Sequence, residues 1–71
     1  MNEYTVLLTW DEEAARWVAE NDEIPIALES DSIDLLIERV KLATPELLEL
    51  NGKPYTNITI DFKMERQAIV A

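Results

Sequence analysis

The sequence predicts an α+β fold: a three-stranded antiparallel meander, one kinked helix laid on one face of the sheet, and a fourth strand that returns to it. Three observations predict it. Apolar and polar residues alternate through residues 4–10 and again through residues 57–65, the period of a strand with one buried face. Apolar positions recur at helical spacing from Ile33 onward and continue into a leucine-rich stretch ending at Leu50, which marks a helix with one buried stripe. Between them lie short apolar runs bounded by turn residues, the size of strands rather than helices. The chain of 71 residues is read as one domain, residues 1–71, and a chain this short buries only about 60% of the surface its unfolded form exposes. Its core must be thin.

In the first strand Tyr4, Val6, Leu8 and Trp10 form the core face, while Thr5, Leu7 and Thr9 face outward. Asp11 opens a turn, and alternation resumes with Trp17 and Ala19 on one side and Arg16, Val18 and Glu20 on the other. This is a second strand, antiparallel by hairpin. A four-residue loop over 12–15 sets Trp10 opposite Trp17, both facing the core with Val6 and Leu8. A three-residue loop slips the pairing by one and turns Trp17 to the other face. The first register is preferred because it groups Trp17 and Ala19 with the apolar half of strand one and leaves Arg16 and Glu20 outside. The indoles then form a cross-strand core pair that closes one end of the sheet.

After a turn at residues 21–23, the run Ile24, Pro25, Ile26, Ala27, Leu28 is expected as a third strand. Pro25 has no N–H to give a ladder, so this strand belongs at a sheet edge. Ser32 caps the helix, Asp34 sits in its first turn, and Ile33, Leu36, Ile37, Val40 and Ala43 share one face. Asp34, Glu38, Arg39 and Lys41 take the opposite face. Thr44 and Pro45 are expected to kink or restart the helix, because an interior proline loses a hydrogen bond at a cost of about 3 kcal/mol. Leu47, Leu48 and Leu50 follow, and Asn51 and Gly52 end the helix in a left-handed cap. The last strand points Ile58, Ile60, Phe62 and Met64 inward and Thr59, Asp61, Lys63 and Glu65 outward. The predicted structural core comprises Val6, Leu8, Trp10, Trp17, Ile33, Leu36, Ile37, Val40, Ile60 and Phe62. The other sheet face stays uncovered and displays Leu7 and Val18 with a row of Thr5, Thr9 and Thr59. A homodimer covering that face is expected.

Fifteen acids against six bases give a formal charge of −9, and the chain has neither cysteine nor histidine. From Asp11 to Asp34 the acids Asp11, Glu12, Glu13, Glu20, Asp22, Glu23, Glu29, Asp31 and Asp34 stand against a single base, Arg16. Such a field repels phosphate backbones and anionic lipid and attracts basic partners. Nucleic-acid binding by this chain alone is therefore not expected. The alternative is that the acids serve solubility only. Disulfides and thiolate or imidazole metal sites are excluded. The chain opens on Glu3 and strand-like alternation, without a basic and then apolar leader, so the expectation is a cytoplasmic protein with no membrane span.

The carboxylates carry no recognisable catalytic pattern. Asn21, Asp22 and Glu23 lack the alternate spacing, central glycine and distal glutamate of a calcium loop. Asp11 and Asp61 could approach if the last strand lies beside the first, as in two-metal nucleases, but Asp11 stands at the hairpin end and the core of strand one holds no acid. No serine has a histidine to activate it, and no glycine-rich phosphate loop is present. The expectation is a non-enzymatic binder with no catalytic residue, metal or cofactor.

The succession of a strand ending in Trp10, Asp11, Glu12, Glu13 and Ala14, then Trp17 to Glu20, Ile24 and Pro25, Glu29 to Ser32, a Leu35–Leu36 helix and the segment Pro45 to Gly52 resembles a bacterial group of small HicB-like domains of unknown function. The likeness spans nearly the whole chain, and its most specific parts are 10–20 and 45–52. It implies a partial ribonuclease-H-type β-β-β-α-β fold without nuclease activity. It also implies an antitoxin that occludes a small basic RNA-cleaving toxin of the HicA type. The partner-binding residues on this reading are Asp11, Glu12, Glu13, Glu20, Asp22 and Glu23, with Leu7 and Val18 on the uncovered face. Two departures stand out. About six residues follow the last strand, so the DNA-binding domain that full antitoxins carry is not expected here, and Ile26 follows Pro25 in a segment where the group usually has glycine. The alternative from a different class is a stand-alone structural or ligand-binding homodimer that shares the fold.

Overall fold

Alternation in the first residues produces a long strand, and everything else is arranged around it. The computed structural model describes residues 2–70. Its elements run β1 (Asn2–Asp11), β2 (Arg16–Glu20), β3 (Leu28–Ser30), α1 (Ile33–Leu50) and β4 (Ile58–Glu65). They form one mixed sheet in the order β3-β2-β1-β4, with β1–β2 and β2–β3 antiparallel and β4 parallel to β1. This is the expected α+β architecture, with α1 on one face.

The hairpin adopts the four-residue loop. Trp10 lies opposite Trp17, Leu8 opposite Ala19 and Asp11 opposite Arg16, so Trp17 and Ala19 join Val6 and Leu8 in the core. Leu36 and Val40 of α1 close this cluster from above. A second cluster forms at the other end from Tyr4, which the alternation of strand one places on the core face, and from Ile24 and Leu48, neither of which belongs to the predicted core. Of that core, Trp10, Ile33, Ile37, Ile60 and Phe62 pack against the first cluster but remain only partly buried. For Ile60 and Phe62 the reason is lateral: α1 is set toward β3 and β2 rather than toward β4. Met64, expected inward, is 64% exposed for the same reason.

One further expectation is corrected. Residues 24–27 are not strand, and β3 begins only at Leu28. Ile26 N–H donates to the Ile24 carbonyl at 2.7 Å, a tight turn around Pro25 that drops Ile24 into the second cluster. The edge position of β3 is as expected. Of the kink or restart expected at Pro45, the restart does not occur: α1 runs as one helix with the proline inside it. The carbonyl of Lys41, which loses its usual donor, belongs to an exposed residue, so water can supply the missing bond. Thr44 and Leu48 on either side are buried, and the Thr44 hydroxyl donates to the Val40 carbonyl at 2.7 Å. Tertiary packing thus holds the second half of the helix where local chemistry would break it.

Both helix ends follow sequence rules. Ser32 Oγ accepts from Leu35 N–H at 3.3 Å. Gly52, at φ 68°, lets Gly52 N–H reach the Glu49 carbonyl and Lys53 N–H the Leu48 carbonyl, the paired bonds of a Schellman ending.

Candidate functional site

The candidate residues fall into three places rather than one. Asp11 ends β1 and Glu20 ends β2, and strand alternation puts both on the uncovered face with Leu7 and Val18. Glu12 and Glu13 occupy the hairpin tip, whereas Asp22 and Glu23 lie in the turn at the other end of β2. The length of β2 separates the two pairs, so the acidic block of the sequence is not one cluster in space.

At the hairpin end the indoles of Trp10 and Trp17 meet edge to face, with ring centroids 5.4 Å apart and planes at 65°. Trp10 Nε1 donates to Glu12 Oε2 at 2.6 Å, and Asp11 Oδ1 accepts from Glu13 N–H and Ala14 N–H. Two of the expected partner-binding acids therefore already shape the loop. The guanidinium of Arg66, beyond β4, lies 4.2 Å from the centre of the Trp10 ring and 5.7 Å from that of Trp17. Stacking of this kind covers the half-exposed face of the pair. In the opposite turn Asn21 is the organising residue: its carbonyl oxygen accepts from Glu23 N–H and Ile24 N–H, and its amide donates to the Thr5 carbonyl at 2.6 Å. Such asparagine chemistry is legible in the turn sequence. The Arg66 contact has no local signal.

The uncovered face is built by pairing across distant sequence. Parallel pairing sets Glu3 beside Thr59, Thr5 beside Asp61, Leu7 beside Lys63 and Thr9 beside Glu65, and on the other flank Leu7 lies opposite Glu20 and Val18 opposite both Thr9 and Glu29. Paired residues share a face. The face therefore carries Glu3, Asp11, Glu20, Glu29, Asp61 and Glu65 around Leu7 and Val18, with Arg16 and Lys63 as its only side-chain cations among the described residues. Arg16 spends its charge locally, 3.9 Å from Glu29. Of these acids, Glu3, Glu29, Asp61 and Glu65 were not among the candidate residues. Asp61 does come beside β1, but opposite Thr5, six positions and roughly 20 Å of extended strand from Asp11. The two cannot share a metal ion. Among the described residues no three potential ligands converge on a metal-sized site, and no helix is long and apolar enough to cross a membrane.

A family model described as a domain of unknown function, DUF1902, matches residues 3–70. The crystal structure of a hypothetical protein from the extremely thermophilic bacterium Thermus thermophilus is similar over 97% of this chain and 100% of that one, at 31% identity and a TM-score of 0.82. No curated protein matches the chain.

Proposed function

From a chain that belongs to the DUF1902 family of domains of unknown function, we propose a non-enzymatic role: binding a small basic protein on the uncovered face of the sheet. One observation carries the reading. That face gathers Glu3, Asp11, Glu20, Glu29, Asp61 and Glu65 around the apolar pair Leu7 and Val18, a small apolar centre with an anionic rim. A cationic surface would be attracted to the rim and desolvate the centre. A second copy brought face to face would instead set acids against acids, which disfavours self-association there. The finer form of the proposal is a cytoplasmic, HicB-like antitoxin that neutralises a small basic RNA-cleaving toxin by occlusion. The resemblance of residues 10–20 and 45–52 to that group supports it.

The test is co-expression with a short basic protein encoded beside this one, followed by pull-down and growth rescue. The Glu3→Lys/Glu20→Lys double variant should slow association, most at low salt, while its thermal unfolding stays close to wild type. The Glu13→Lys/Glu23→Lys variant, altered at the two ends of the hairpin, should have the smaller effect. If the wild type neither binds nor rescues, the antitoxin reading goes. If it binds and both variants bind equally well across a salt series, the acids serve solubility. A mobility shift of any nucleic-acid duplex at physiological salt would contradict the electrostatic basis of the proposal.

A further inference from the structure

β4 is an edge of the sheet, and its eight residues leave every second N–H and C=O pointing away from β1 without a ladder partner among the described residues. A long bare edge is a template for another strand. The opposite edge, β3, spans three residues and offers little. Beside β4 the apolar surface is also unfinished, because α1 is set toward β2 and β3. Ile58, Ile60 and Phe62 line an open groove of about 370 Å³ with Lys41, Thr44 and Pro45, Met64 continues the row, and Leu42 on the adjoining helix is 76% exposed.

We infer that β4 pairs antiparallel with β4 of a second copy, about a two-fold axis at Phe62, so that two four-stranded sheets become one. Charge selects the register. Residues directly opposite in an antiparallel ladder either both exchange hydrogen bonds or both point away, so the axis of a symmetric pair passes through a residue. An axis at Asp61 sets Asp61 against itself. One at Lys63 sets Lys63 against itself and Asp61 against Glu65. An axis at Phe62 places Asp61 opposite Lys63 of the second copy, and by symmetry Lys63 opposite its Asp61. On the helix side the same register stacks Ile60 on Met64, Phe62 on Phe62 and Met64 on Ile60 across the seam. Axes nearer either end of β4 shorten the paired stretch. The uncovered face remains free on both copies, so this assembly stands independently of the proposed binding of a basic partner.

Sedimentation of four samples over a concentration series tests it: wild type, Lys63→Asp, Asp61→Lys, and an equimolar mixture of the two variants. The wild type should be dimeric. Each variant alone opposes like charges at both symmetric positions, and its dissociation constant should rise roughly tenfold or more. The mixture should recover the dimer, because one chain brings two aspartates and the other two lysines to the same register. Both side chains lie on the solvent side of β4, so circular dichroism near wild type, with unfolding midpoints that match those of wild type diluted below its dissociation constant, identifies loss of the dimer as loss of the seam. A monomeric wild type, or a mixture no more dimeric than its components, overturns the inference. So does a dimer that Leu7→Asp dissociates and the β4 variants leave intact, since it is then held by the uncovered face.

Discussion

Trp17 and Trp10 are chemically identical and face each other across the hairpin, yet burial makes them unequal. Trp17 is 6% exposed and sits among Val6, Leu8, Leu36 and Val40, whereas Trp10 is half-buried and finishes its environment with Glu12 and the Arg66 guanidinium. Trp17→Ala should therefore destabilise the chain by roughly 3–5 kcal/mol, as core truncations of large side chains do. Trp10→Ala should cost clearly less in the same chemical denaturation series. Ala15 closes the hairpin loop at φ 53°, in the left-handed region where a Cβ costs roughly 1–2 kcal/mol. Glycine removes that strain and gives back about 0.4–1 kcal/mol through its freer unfolded chain. Ala15→Gly should thus raise the unfolding free energy by up to about 1 kcal/mol, and a loss would mean that the loop depends on the Ala15 methyl. Asn57 takes a similar angle, φ 55°, with a side chain better suited to it.

At the scale of elements, α1 shows how local and tertiary terms divide the work. Its ends are set locally, by the Ser32 hydroxyl at one terminus and the left-handed Gly52 at the other. No heavy atom lies within 4 Å of the position a Cβ on Gly52 would take, so Gly52→Ala probes backbone strain alone. Ser32→Ala and Gly52→Ala should each lower stability by about 1 kcal/mol, measured by thermal or denaturant unfolding. Its middle is set by packing. Pro45 is tolerated because Thr44 and Leu48 are buried on the sheet side while the carbonyl that loses its donor belongs to exposed Lys41. The β3 segment shows the opposite balance: Ile24 to Leu28 reads as an apolar strand, but Ile24 gains more as a plug between Tyr4 and Leu48 than as a rung on an edge.

For the whole molecule, charge is the dominant surface property. The chain carries −9, and the ion pairs among the described residues, Arg16–Glu29 at 3.9 Å and Lys41–Glu38 at 3.2 Å, are exposed and worth at most about 1 kcal/mol each. Self-repulsion among the remaining acids opposes the compact state. The melting temperature should therefore rise as sodium chloride is increased from about 10 to about 150 mM, where the screening length falls to roughly 8 Å. Calorimetry showing a fall over that range would mean that attractive pairs outweigh the repulsion.

Alternation in β1, β2 and β4, the Ser32 cap and the Gly52 ending were legible in the sequence, and the Trp10–Trp17 register was the preferred of two. Each depends on residues within one turn or one hairpin of each other, where backbone geometry leaves few options. The uncovered face was legible only in part, through Leu7, Val18, Asp11 and Glu20. Glu3 joins it by the alternation of β1 itself, while Asp61 and Glu65, expected outward on the last strand, come beside it because β4 lies parallel to β1, a pairing between segments more than fifty residues apart that no local pattern encodes. The lateral setting of α1 over β2 and β3 was decided the same way, and with it the exposure of Met64 and the half-burial of Ile60 and Phe62. Period and capping determine which residues can face a core. Only the packing of one helix on four strands decides which of them it covers.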